Sequence, residues 1–123
     1  TVQIFDAATG DNILTYTGHA TAVLSASFSP DGTRVVSGSI DDTVQIFDAA
    51  TGDEIVTYTG HTSYVYSASF SPDGTKVVSV SDDQTVQIWK TNDGRMYKLT
   101  IPNLEEDTNY AYRVGMEGTA YND

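Results

Sequence analysis

The sequence repeats itself. Thr1-Val2-Gln3-Ile4 returns as Thr43-Val44-Gln45-Ile46 and again as Thr85-Val86-Gln87-Ile88, a period of 42 residues. With residues 1–48 laid over 43–90, about 36 positions are identical. A repeat at this period constrains the fold to an array of like units. Each unit reads as short β-strands with a turn signal at every junction. Val23 to Phe28, rich in Ala and Ser, suits an inner strand at a crowded axis. Ser29-Pro30-Asp31-Gly32 is a hairpin signal, because Pro presets φ at the first central position and Gly accepts the left-handed one. Val35 to Ser37 is the second strand and Val44 to Phe47 the third. Ala8-Thr9-Gly10-Asp11 is a turn. Ile13 to Thr17 then forms an outer strand, its β-branched and aromatic content fitting a pleated surface.

Charge and composition exclude several classes. At 123 residues the chain is one domain's worth, with a formal charge of −11 and only 6 Lys and Arg. Nucleic acid and anionic membrane both demand a basic surface, so neither is expected as a partner. No cysteine occurs, which removes disulfides and leaves the redox compartment open. No apolar run approaches the ~20 residues of a membrane-spanning helix, so membrane insertion is not expected. The chain opens with Thr1 inside a strand motif, as expected of a processed product or a piece of something longer.

A period of about 40–45 residues with about four strands per unit is the signature of β-propeller blades. The motifs agree. Gly18-His19, Ser29-Pro30-Asp31-Gly32, Ser37-Gly38-Ser39 with Asp41, and Thr43 to Asp48 resemble a WD-repeat blade. The second copy, Gly60-His61, Ser71-Pro72-Asp73-Gly74, Ser79, Asp83 and Ile88-Trp89, matches in the same register. The resemblance covers residues 1 to about 90. It departs from the family at the Trp-Asp pair, which here reads Phe5-Asp6, Phe47-Asp48 and Trp89-Lys90. It implies an all-β chain of four-stranded antiparallel propeller blades, about two to three of them. That propeller is incomplete unless the chain oligomerises or belongs to a longer one. The expected units are a half blade at 1–17, blades at 18–59 and 60–101, and a diverged tail at 102–123.

The tail has two readings. Residues 99–114, with Leu104, Thr108, Tyr110, Arg113 and Val114, are similar to the end of a fibronectin type III domain. Tyr97 to Ile101 serves as the outer strand of the blade at 60–101, and in the second reading residues 104–123 supply the first two strands of a blade whose last two are residues 1–17. Asn122-Asp123 then falls where Asp41-Asp42 precedes Thr43.

Ser37, His19 and Asp41, repeated as Ser79, His61 and Asp83, have the composition of an acyl-transfer triad. The WD resemblance implies a structural network instead. The loop His, supported by the turn Asp, reaches the strand Ser, which reaches the Trp ring nitrogen of the third strand. Two copies at one spacing favour a repeated structural device over a single active site. Trp89 completes the second network; Phe47 has no N–H, so the first is expected to be one bond short. Asp41-Asp42, Asp82-Asp83 and Glu105-Glu106-Asp107 lack the alternating spacing of a calcium loop, and no cofactor or metal is implied. Tyr64 and Tyr66 are candidates for carbohydrate stacking or an interface, or for packing.

The differences between copies carry further information. Ala20-Thr21-Ala22 with Leu24 becomes Thr62-Ser63-Tyr64 with Tyr66, and Gly38, Ile40 and Asp42 become Val80, Asp82 and Gln84. Both clusters fall at loops of one rim, the end where blades of this family usually meet partners. The rim with the Pro-Asp-Gly and Thr-Gly-Asp turns is almost unchanged. The expected function is therefore a non-catalytic scaffold for protein–protein interaction or self-assembly, with a protein partner or further copies of itself. The alternative is a structural repeat of an extracellular or surface filament, for which the acidic, cysteine-free, Thr/Tyr-rich composition speaks. A hydrolase rests only on the Ser/His/Asp set. An extracellular or surface setting is favoured over the cytoplasm, though the compartment stays open.

Overall fold

Each turn signal in the repeat ends one strand and starts the next. The computed structural model describes residues 1–91. These form β1 (Val2–Phe5), β2 (Asn12–Tyr16), β3 (Val23–Phe28), β4 (Arg34–Ser39), β5 (Val44–Asp48), β6 (Glu54–Tyr58), β7 (Val65–Phe70), β8 (Lys76–Ser81) and β9 (Val86–Lys90). The strands lie in three antiparallel sheets: β1-β2 (sheet 1), β3-β4-β5-β6 (sheet 2) and β7-β8-β9 (sheet 3). The described part is all-β, an incomplete propeller built of WD-like blades. The outer strand expected at 97–101 and both readings of the tail lie outside the described residues.

Gly32 and Gly74 each take a φ of 76° in the Pro-Asp-Gly turns, the conformation that glycine adopts without a Cβ penalty. Asp31 secures its turn by accepting from the Thr33 N–H and from the Ser29 and Thr33 hydroxyls. The second strand runs longer than Val35 to Ser37. It pairs with β5 from Arg34↔Asp48 through Gly38↔Val44, because the tight turn at residues 40–43 lets the ladder continue to Ser39. Asp42 and Gln84 close these turns with φ of 73° and 71°, unusual for residues that carry a side chain.

The core lies between the sheets. Val36, Val44, Ile46 and Tyr58 of sheet 2 pack on Val65, Ala68, Val77 and Trp89 of sheet 3. Val2 and Tyr16 of sheet 1 pack on Val35 and Phe47 of sheet 2. Each outer-strand tyrosine stacks on the third-strand aromatic of the next sheet. Tyr16 lies 3.9 Å from Phe47 and Tyr58 lies 4.5 Å from Trp89, centroid to centroid. Gly38 is fixed by the close approach of the neighbouring sheet: a Cβ there would stand 2.7 Å from Val65 Cγ1.

Candidate functional site

The loop between β6 and β7 brings His61 under the sheet, and β8 turns Ser79 toward β9. Trp89 Nε1–H donates to Ser79 Oγ at 3.0 Å, and Ser79 Oγ lies 2.7 Å from His61 Nε2. His61 Nδ1 lies 2.9 Å from Asp83 Oδ2. One direction of donation satisfies the whole chain: indole to Ser, Ser to His Nε2, His Nδ1–H to Asp. That tautomer is assigned from the network. Asp83 also accepts from the N–H groups of Thr62 and Thr85 and from the Thr85 hydroxyl. Ser79 and Trp89 are 0% exposed, so each polar atom depends on its partner here.

The first copy repeats the geometry with one substitution. His19 Nε2 stands 2.7 Å from Ser37 Oγ and His19 Nδ1 stands 3.0 Å from Asp41 Oδ2. Phe47 offers Ser37 no donor. The surroundings answer this in a way the sequence did not disclose. Where the Trp89 ring reaches toward Gly60, the smaller Phe47 leaves room against Gly18, and the Tyr16 hydroxyl fills it. From there it donates to Gln45 Oε1 at 2.6 Å. In the second copy Trp89 holds that space and the Tyr58 hydroxyl donates to the Lys90 carbonyl. Gln87 Oε1 is then buried with no hydrogen-bond partner among the described residues.

Electrostatics follow from these bonds. Burial alone would raise the Asp41 carboxyl. Hydrogen bonds from the Thr43 hydroxyl, the Ala20 N–H, His19 and the Thr43 N–H outweigh it and hold the group at about 2. Asp83 faces the same burial, and the Thr85 hydroxyl, His61 and the Thr62 and Thr85 N–H groups push it further below the usual carboxylate range. Sequence reasoning missed Thr43, Thr85, Gln45, Gln87 and Tyr16 as members of these networks. Their signal was present: the Thr and Gln recur at the same places in every copy of Thr-Val-Gln-Ile.

The variable segments share one rim. Ile40 N donates to the Ala22 carbonyl at 3.0 Å and Asp82 N to the Tyr64 carbonyl at 2.8 Å, so each turn sits against the loop that precedes the first strand. Ala20, Thr21, Ala22, Thr62, Tyr64, Tyr66, Asp82 and Gln84 are exposed, whereas Ser63, Ile40 and Asp42 are half-buried. The Tyr66 hydroxyl donates to Asp82 Oδ1 at 2.9 Å, and that bond raises its pKa above the ordinary phenol value. At the opposite rim the Pro-Asp-Gly turns meet the Thr-Gly-Asp turns, with Ala49 N donating to the Thr33 carbonyl. Among the described residues no three His, Asp or Glu side chains converge as metal ligands, and no helix is long and apolar enough to cross a membrane.

Sequence comparison gave no match among curated proteins. The profile of the family described as WD domain, G-beta repeat (WD40) matches residues 10–48 and again 52–90. Each match takes in one Gly-His, one Ser-Pro-Asp-Gly turn and one Ser/Asp pair of the networks above. Repeats of this family generally mediate protein–protein interaction and are typically non-catalytic. On these two matches, which together span more than half of its length, the chain belongs to the WD40 repeat family.

Proposed function

We propose that this chain is a non-catalytic propeller scaffold that meets a protein partner through the rim formed by residues 20–24, 40–42, 62–66 and 82–84. The observation that carries the reading is where the two copies diverge: near-identical blades present Ala22, Leu24 and Ile40 in one and Tyr64, Tyr66 and Asp82 in the next, on one rim. Tyr64 and Tyr66 are about half exposed, and exposed aromatics of this kind are the residues interfaces use as anchors. The Ser/His/Asp sets speak for structure rather than turnover. Ser37 and Ser79 are 0% exposed, so a substrate carbonyl has no approach to either hydroxyl.

The test is site-specific photo-crosslinking. A photoreactive residue at position 64 should crosslink to protein in extracts of the source, and one at position 10, on the opposite rim, should not. Equal crosslinking from both positions would overturn the rim assignment.

Self-assembly is the second reading, favoured by apolar residues left exposed on sheets 1 and 2. Phe5 and Phe28 are 53% and 54% exposed beside a cleft of about 290 Å³ between sheets 1 and 2. Symmetric closure, or open stacking into a filament, is the simplest way for such faces to be covered. Analytical ultracentrifugation separates this from the first reading: a cooperative monomer at micromolar concentration removes self-assembly and leaves the rim.

A further inference from the structure

The interface between sheets 2 and 3 serves as a template for the outer face of sheet 3. On sheet 2, that interface uses Val36, Val44 and Ile46, with the Ser25 hydroxyl accepting from the Ala68 N–H at 3.0 Å. Arg34 adds a guanidinium 5.4 Å over the Phe70 ring. One period later, the outer face of sheet 3 carries Val78, Val86, Ile88, Ser67 and Lys76. Val78 is 38% exposed where its counterpart Val36 is 0% exposed, so among the described residues the copied face is uncovered.

One residue breaks the copy. Position 38 is glycine because Val65 of the neighbouring sheet presses into it; a Cβ there would meet Val65 Cγ1 at 2.7 Å and the Val65 carbonyl oxygen at 3.3 Å. The corresponding residue on the outer face is Val80, 40% exposed. It fills with a branched side chain the space that Val65 takes up at Gly38 in the internal interface. Both first strands of this chain carry valine at the facing position, Val23 and Val65. A blade like either of them, docked by the internal geometry, would drive valine into valine, and overpacking of that kind is destabilising.

We propose that the outer face of sheet 3 is a docking face for a further blade of this repeat type whose first strand carries glycine, alanine or serine where this chain has Val65. The large-small pair of the internal interface, valine on Gly38, is then exchanged for a small residue on Val80 at conserved volume. Val80 is the specificity-determining residue: it admits that blade and rejects copies of the two present here, a repulsive element of the sort that sets partner choice. The Ser67 hydroxyl and Lys76 supply the polar contacts that Ser25 and Arg34 make internally. This goes beyond the rim reading and uses a different surface, so failure of the crosslinking experiment leaves it standing.

The test extends the full chain at its C-terminus with a flexible linker and one added unit of the sequence 18–59. The first-strand valine of the added unit is either kept or replaced by alanine. Thermal melting is measured in the native background and with Val80→Gly. The alanine unit should raise the midpoint of the native chain by about 4 °C or more while the valine unit leaves it unchanged. Val80→Gly should reverse that preference. Equal shifts from both units, no shift from either, or a preference that survives Val80→Gly would each overturn the proposal.

Discussion

Phe47→Trp installs in the first blade the indole that the second blade already has. Taken alone, the change adds a donor to Ser37, a buried hydrogen bond of the kind that contributes on the order of 1 kcal/mol. The space it needs is occupied. The Tyr16 hydroxyl sits against Gly18, where a Cβ would lie 2.2 Å from it, and donates to Gln45 Oε1. An indole at position 47 must displace that hydroxyl, which removes a second buried bond of similar size and leaves Gln45 Oε1 in the state of Gln87 Oε1. The two effects cancel to within about 1 kcal/mol, so Phe47→Trp alone should be close to neutral. In a Tyr16→Phe background the ring stack is kept and the competing hydroxyl is gone. There Phe47→Trp should stabilise by about 1 kcal/mol or more, giving a coupling energy of that size in a double-mutant cycle. Guanidinium titrations of the four proteins measure it. The same free-energy change in both backgrounds would refute the idea that Tyr16 and the missing indole compete for one space.

Other outcomes follow from the same geometry. His61→Ala leaves Ser79 and Asp83 buried with a partner missing and should destabilise by on the order of 1–3 kcal/mol, read as a lower melting temperature. Asp41, Asp31 and Asp73 are each held at about 2 in the fold, and Asp83 lower still. An unfolded carboxyl titrates near ~3.9, so the stability these groups contribute is present above about pH 4 and is lost as pH falls from there through ~2. Denaturant midpoints measured down that range should fall, and Asp83→Asn should flatten the fall. Gln84 is exposed and holds a φ of 71°; Gln84→Gly relieves that strain and should stabilise by about 1 kcal/mol in urea titration.

The strands and turns were legible because the repeat states them twice. Pro-Asp-Gly ends one strand and presets the next, and Ser37/His19/Asp41 recurs at one spacing, so the parts of the network could be read without coordinates. Two things could not. The sequence shows Phe47 in place of Trp and so implies a missing bond, but that Tyr16 compensates depends on a contact between adjacent sheets, 29 residues apart in sequence. The Gly38-to-Val80 change reads in the sequence as one more rim difference. Only the approach of Val65 shows that position 38 lies inside a sheet interface, and the role proposed for Val80 rests on that contact. Local pattern specifies strands and turns, whereas the fit between sheets is decided by side-chain volumes that no period reveals.

The central claim is that Ser79, His61 and Asp83 hold a blade together and do not turn over a substrate. Ser79→Ala, made alongside Ser37→Ala, tests it with two readings on the same samples: thermal melting, and hydrolysis of an activated acetyl ester. The account predicts a lowered melting temperature in both variants and, in the native chain, no hydrolysis above the buffer rate. Hydrolysis by the native chain that disappears in either variant while its melting temperature stays unchanged would contradict it.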